Sequence, residues 1–272
     1  MAASLLCQRG QASCGACCGL YNRRDLRRAA LHALLARRTR MLSALPLSAL
    51  AFRQAAERLR ALEGEPVFPS VRTCPLLGFL DAAETRVGCL AHPSVTGGPD
   101  LRDCGAYDRE TCDGFYCAAH GALTEEEAQL LAEALPGEPW LYGLVVTDPP
   151  FLRSALRALG RLKGRPVERA DLAVPRLRRA LVQLLALKEE LAPGSDGLFR
   201  AFDPHEEREA FPGASSPAEE LLERVGADAR SGNDLEALEG EVRRRLSRCR
   251  AAFGTARPGA LPREAGSCFD GR

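Results

Sequence analysis

Eight cysteines between residues 14 and 117 constrain this chain more than any other feature of its sequence. They are Cys14, Cys17, Cys18, Cys74, Cys89, Cys104, Cys112 and Cys117. The first two form a C-x2-C turn, in which two thiolates can converge on one ion while nearby backbone N–H groups point at the sulfurs. Gly15 and Gly19 leave the backbone free to make that turn. Thiols used this densely predict a metal held by sulfur, with these eight residues as its candidate ligands.

The spacing leaves the number and the kind of metal ions open. Side chains of adjacent Cys17 and Cys18 diverge, so either one of them is not a ligand or the two serve a polynuclear cluster or two sites. Two four-ligand sites, or one four-iron cluster with spare thiols, both fit a set of eight. The predicted cofactor is therefore zinc or iron, including a 4Fe-4S cluster.

Cysteine usage also bears on the cellular compartment. The first ten residues contain no basic region followed by a long apolar run, and no later stretch has enough consecutive apolar residues to cross a bilayer. We predict a cytoplasmic protein, where thiols stay reduced, and the odd total of 11 cysteines also disfavours a disulfide framework. Of the isolated thiols, Cys249 is interpreted as the inner face of a helix and Cys268 as part of a loose tail.

Net charge narrows the choice of partners. A formal charge of +1 gives no global electrostatic reason to expect nucleic acid or a membrane surface. Arginines are nevertheless dense on the first predicted helix, at Arg23, Arg24, Arg27, Arg28, Arg37, Arg38 and Arg40. No aromatic residues interleave with them, so we interpret them as a solvated face. The predicted partners are a metal ion and, as an option, another protein.

Hydrophobic periodicity predicts a mainly α fold with a small α+β cysteine-rich metal-binding module and a helical C-terminal region. In the module, two helices at 22–41 and 46–62 form a hairpin, the second with Leu47, Leu50, Leu59 and Leu62 as its apolar positions. Two strands at 76–81 and 86–91 form a β-hairpin that brings Cys74 and Cys89 toward the same end. The predicted domains are the module at 1–122, the helical region at 123–252 and a flexible tail at 253–272.

Helix signals dominate the remainder of the chain. Thr124 and Glu127 form a capping box before an apolar helical series. The apolar run at 140–146 fits either a buried strand or a helix. Other helices are predicted to begin at Asp148 and to span 174–191, 217–230 and 235–250, with a connection at 192–216.

Four short motifs around the cysteines resemble those of a known family. They are Cys14-x-x-Cys17-Cys18-Gly19, Cys74-Pro75-Leu76-Leu77, Gly88-Cys89-Leu90 and Tyr107-Asp108-Arg109-Glu110-Thr111-Cys112-Asp113-Gly114-Phe115. Together they resemble the CxxCxxCC family, also called YkgJ-type, over roughly residues 14–117. The first Cys of the family's opening run is replaced here by Gln11. Cys7 is a candidate substitute for that thiol, although its spacing is wrong for a tight knuckle. The resemblance implies a zinc- or iron-chelating domain, and a similar domain occurs in flagellin lysine N-methylases.

The sequence thus predicts a cytoplasmic protein that binds zinc or an iron-sulfur cluster through clustered thiolates. Two alternatives stay open. One is an iron-sulfur enzyme that serves redox chemistry or protein N-methyl transfer. The other is an adaptor with a purely structural zinc module and helices that bind a protein partner. No activated nucleophile is visible, so no catalytic residue is assigned.

Overall fold

A computed structural model describes residues 6–69, 71–191, 221 and 232–254. The predicted connection at 192–216, nearly all of the helix predicted at 217–230, and the tail beyond residue 254 with Cys268 lie outside the described residues. Within the described ranges, every helix is too short or too polar to cross a lipid bilayer.

The described chain is mainly helical, with two small antiparallel sheets. The strands are β1 (Gln8–Arg9), β2 (Ala12–Ser13), β3 (Leu77–Phe79) and β4 (Val87–Cys89). The helices are α1 (Arg28–Ser43), α2 (Ala49–Glu63), α3 (Pro93–Thr96), α4 (Arg109–Gly114), α5 (Ala119–Ala122), α6 (Glu125–Ala134), α7 (Pro139–Val146), α8 (Pro149–Lys163), α9 (Pro175–Leu185), α10 (Leu187–Leu191) and α11 (Gly232–Gly254). Short 3-10 turns lie at Arg102–Cys104 and Arg169–Ala173.

Both sheets are hairpins that carry cysteines at their ends. Strand β1 pairs with β2 in the register Gln8 to Ser13, and Gly10 in the turn has a φ of 58° that favours glycine. Strand β3 pairs with β4 so that Leu77 faces Cys89. The second hairpin confirms the prediction for this part of the chain. It places Cys89 across from the strand that follows Cys74.

The α1–α2 hairpin forms as predicted. The sequence pattern, however, gave the wrong buried positions for α2 and the wrong exposure for one arginine of α1. On α2 the buried positions are Phe52, Ala55, Ala56 and Leu59. They follow the i, i+3, i+4, i+7 spacing of one helical stripe. Leu50 and Leu62 lie off that stripe and are 69% and 62% exposed, while Leu47, which precedes the helix, is also exposed.

Arg38 corrects the interpretation of the α1 arginines as a solvated face. Its side chain is 1% exposed and forms an ion pair with Glu63 of α2 at 2.6 Å. Its guanidinium also donates a hydrogen bond of 3.0 Å to the carbonyl of Cys74. A buried charge is tolerated when it is paired and hydrogen-bonded, and both conditions hold here. The pair fixes the helical hairpin against the chain that enters β3.

The helices after residue 122 follow the local signals closely. Thr124 and Glu127 form the predicted capping box at the start of α6. The apolar run at 140–146 lies in a helix, α7, and not in a strand. Asp148 caps α8 by accepting a hydrogen bond from the backbone N–H of Phe151. The helix predicted at 174–191 is divided into α9 and α10 at Ala186.

One large apolar cluster joins the N-terminal segment to these helices. The Tyr21 hydroxyl donates a hydrogen bond of 2.8 Å to the carbonyl of Trp140, and the Tyr142 hydroxyl donates one of 2.8 Å to the carbonyl of Leu6. Cys249 on α11 is 1% exposed in the same cluster, which confirms its predicted place on an inner helix face. The cluster contains residues from both sides of position 122, and the proposed domain boundary there stays a prediction.

Candidate metal centre

The cysteines of the N-terminal region are carried by separate chain segments. Cys7 and Cys14 flank the β1–β2 hairpin, and Cys17 and Cys18 lie in the turn that follows it. Cys74 precedes β3, Cys89 ends β4, Cys112 lies in α4 and Cys117 precedes α5. All ten cysteines in the described residues are free thiols. Their sulfurs sort into two groups.

The first thiol group consists of Cys7, Cys14, Cys17 and Cys117. Cys17 forms side-chain hydrogen bonds with Cys7 and with Cys117. Cys14 interacts electrostatically with Cys7 and Cys117, and its backbone N–H donates a hydrogen bond of 3.0 Å to the Cys7 carbonyl. His120 lies beside the group, because its ring is hydrogen-bonded to the Cys7 side chain.

The second thiol group consists of Cys18, Cys74, Cys89 and Cys112. Cys18 interacts electrostatically with the other three. The backbone N–H of Cys74 donates a hydrogen bond of 2.9 Å to the carbonyl of Cys18, which holds these two segments side by side. Gly105 leaves room for the group, since a Cβ at that position would lie 2.9 Å from the Cys74 sulfur.

Backbone amides two residues further along the chain point at three of the sulfurs. The N–H of Ala16 donates to the Cys14 sulfur at 3.4 Å. The N–H of Ala91 is hydrogen-bonded in the same way to Cys89, and that of Ala119 to Cys117. A hydrogen bond from an amide favours the charged form of a thiol, which is the form that binds metals.

Hydrogen bonding within the first group divides its thiols into two kinds. Hydrogen bonds from Cys17 lower the pKa of Cys7 to about 6 and the pKa of Cys117 to about 6. The pKa of Cys17 is raised, because its hydrogen bonds with Cys117 and Cys7 hold its proton. Burial raises the pKa of Cys14 as well. The first group therefore contains two thiols that ionise readily, Cys7 and Cys117, and two that hold their protons until a cation displaces them, Cys14 and Cys17.

Burial governs the second group. It raises the pKa of Cys18, raises that of Cys89 to about 12, and raises that of Cys112. The nearby thiol of Cys74 acts in the same direction on all three. Burial and the neighbouring thiols therefore disfavour the charged forms of Cys18, Cys89 and Cys112, and a cation among them would offset that penalty.

Two candidate residues differ from what the sequence indicated. Cys104 is buried in the same apolar cluster as Cys74, but its thiol donates to the carbonyl of Ala49 at 3.5 Å. Cys7, a candidate substitute for the missing thiol that was not among the eight predicted ligands, belongs to the first group. The pairing of Gln8 with Ser13 places Cys7 opposite Cys14, so the signal that could have found it is the Gly10 turn between two short polar strands.

Pairwise contacts hold each group together. Across the described part of the chain, no three or more side chains of His, Cys, Asp or Glu already have the arrangement of ligands around one ion. Chelation by four sulfurs therefore requires cysteine side chains to turn from their contacts with one another toward a shared centre. Rotation between staggered χ1 positions is the torsional movement available for this.

Comparisons with protein-family models, curated proteins and solved structures give no match. The resemblance to the CxxCxxCC family therefore stays a prediction that rests on the cysteine motifs. Chemically, the two groups offer sulfur donors with neighbouring amide donors and one imidazole. This donor set suits zinc, and it also suits iron in a sulfide-bridged cluster.

Proposed function

We propose that this protein binds metal through the clustered thiolates of its N-terminal region and that the ion organises residues 7–117. One observation carries the proposal. Thiols from segments more than 100 residues apart, such as Cys7 and Cys117, are both hydrogen-bonded to Cys17. Buried free thiols are common singly, but eight in two groups are hard to explain by packing alone.

Zinc is the ion that best suits this donor set. Structural zinc takes four ligands in a tetrahedron, and cysteine is its commonest sulfur ligand in such sites. The amide hydrogen bonds to Cys14, Cys89 and Cys117 support thiolates in the way that a bound cation requires. Iron in a sulfide-bridged cluster is the alternative cofactor, and it would bring redox chemistry or methyl transfer into reach.

A second candidate function is that of an adaptor whose zinc module is structural. The observation that favours it is on α2, where Leu50 and Leu62 are 69% and 62% exposed. Leu47, just before the helix, is 51% exposed. Exposed leucines on one element suit contact with another protein better than contact with water.

Replacement of Cys14 by Ser should lower the metal content of the purified protein, because one sulfur ligand is lost. Cys249→Ser is the matched control. Cys249 is buried like Cys14, at 1% against 9% exposure, but its thiol donates to the carbonyl of Ala180 at 3.6 Å, far along the chain from both groups. Elemental analysis of both variants, purified without oxygen, measures the difference.

The same samples separate the two metals. Colourless protein that contains zinc supports the structural site. Brown protein that contains iron and acid-labile sulfide supports the cluster. A Cys14→Ser protein with the full metal content of the parent chain contradicts the proposal for this residue, and equal losses in both variants would point to damage to the fold.

A further inference from the structure

Adjacent Cys17 and Cys18 direct their sulfurs to different neighbours. Cys17 is hydrogen-bonded to Cys7 and Cys117. Cys18 has Cys74 as its strongest thiol neighbour, followed by Cys89 and Cys112. Both residues interact with Cys7, but Cys17 does so through a hydrogen bond, whereas for Cys18 the effect of Cys7 is the smallest of its four thiol neighbours.

The apolar residues around these cysteines also form two clusters. Cys14 and Cys117 belong to the large apolar cluster of the N-terminal segment and the later helices. Cys74 belongs to a smaller cluster, formed by α2 with the chain around β3 and β4. Cys17 packs against the first cluster alone, whereas Cys18 packs against both. The turn at Cys17 and Cys18 is thus the point where the two environments meet.

Each group also has a backbone amide that donates to a sulfur, as is common at thiolate metal sites. In the first group, amides two residues on donate to Cys14 and Cys117, and in the second an amide donates to Cys89. Each group holds four sulfurs, which is the number that a tetrahedral zinc ion takes. Cys104 packs in the same cluster as Cys74, but its thiol donates to the carbonyl of Ala49, so we leave it out of both sets.

We propose that the two thiol groups are two separate four-sulfur metal sites, one ion in each. The first is formed by Cys7, Cys14, Cys17 and Cys117, and the second by Cys18, Cys74, Cys89 and Cys112. Each ion binds four thiolates; the ligands that are still protonated lose their protons to solvent, with no change of oxidation state. This inference rests on the proposed function and adds the number of ions, the membership of Cys7 and the exclusion of Cys104.

The test is the number of zinc ions per chain in the intact protein and in three variants, expressed with zinc sulfate in the medium. Cys7→Ser removes a half-buried ligand of the first group and Cys112→Ser removes the exposed ligand of the second, so the fully buried cysteines stay in place. The parent chain should hold two ions and each of these variants one. Cys104→Ser, the matched control, should hold two.

Zinc X-ray absorption of the parent chain keeps the proposal testable if a variant does not fold. Two separate sites predict four sulfurs per zinc at about 2.3 Å and no metal neighbour in the next shell. A sulfur-bridged metal neighbour, a single ion per chain, an iron-sulfur cluster, or loss of an ion in Cys104→Ser would each overturn the partition while leaving metal binding intact. A folded parent chain without metal would instead contradict the proposed function itself.

Discussion

Replacing Glu63 by Ala should lower the free energy of unfolding by about 3–5 kcal/mol, the usual cost of removing one partner from a buried ion pair. The Glu63 side chain is 3% exposed and pairs with both Arg38 and Arg23. Arg38 is 1% exposed, so the substitution leaves its charge buried without a carboxylate. Arg38 also donates a hydrogen bond to the carbonyl of Cys74. The substitution should therefore also destabilise the segment that carries Cys74 of the second thiol group.

Urea unfolding of the parent chain and of Glu63→Ala measures this loss. Glu57→Ala is the matched control, since Glu57 is exposed on the same helix and its replacement should change stability by no more than about 0.5 kcal/mol. Equal effects of the two substitutions would contradict the account of the buried network.

The effect of Glu63 should also depend on pH. Burial alone would raise the pKa of Glu63, but hydrogen bonds and charge from Arg38 and Arg23 outweigh it and lower that pKa. A group with a lowered folded-state pKa stabilises the fold above its unfolded pKa, about 4.3 for Glu, and loses that contribution as pH falls through the folded value. The stability difference between the parent chain and Glu63→Ala should therefore shrink below about pH 4.

Removal of bound metal is expected to have the second large effect. A ligand that binds only the folded state, at a free concentration 1,000 times its Kd, stabilises that state by about 4 kcal/mol per site. Thermal midpoints of domains near this size move by about 2–4 °C per kcal/mol, so stripping two sites should lower the midpoint by on the order of 15–30 °C. The segment that carries Cys112 should lose order first, since Cys112 is the exposed member of its group.

Thermal unfolding with and without a strong chelator measures the shift, and restored zinc should reverse it. Cys249→Ser should show the same chelator response as the parent chain. An unchanged midpoint, at a stage where elemental analysis shows that the metal has left, would refute the idea that the ion organises this part of the fold.

Secondary-structure elements that depend only on residues close together in the sequence could be predicted. The capping box at Thr124 and Glu127 needs only four consecutive positions, and the β3–β4 hairpin follows from two short apolar runs with a turn between them. Arg38 escaped prediction because its partner, Glu63, lies 25 residues away. Charge alone cannot distinguish a solvated arginine from one buried against a distant carboxylate.

The same difference between local and long-range information applies to the candidate site. The sequence identified seven of the eight grouped thiols, because dense cysteine spacing is visible without a structure. It could not choose between Cys7 and Cys104, since that choice depends on strand pairing in the first hairpin and on the contact of Cys104 with Ala49. Nor could it assign Cys17 and Cys18 to different partners, which are up to 100 residues distant in sequence.

The metal content of the intact chain, purified without oxygen and measured by elemental analysis against protein concentration, tests the central claim most directly. Ions held by gathered thiolates should copurify with the protein, and our account predicts two zinc ions per chain. Folded, monodisperse protein that contains no metal, even after expression in zinc-supplemented medium, would contradict it.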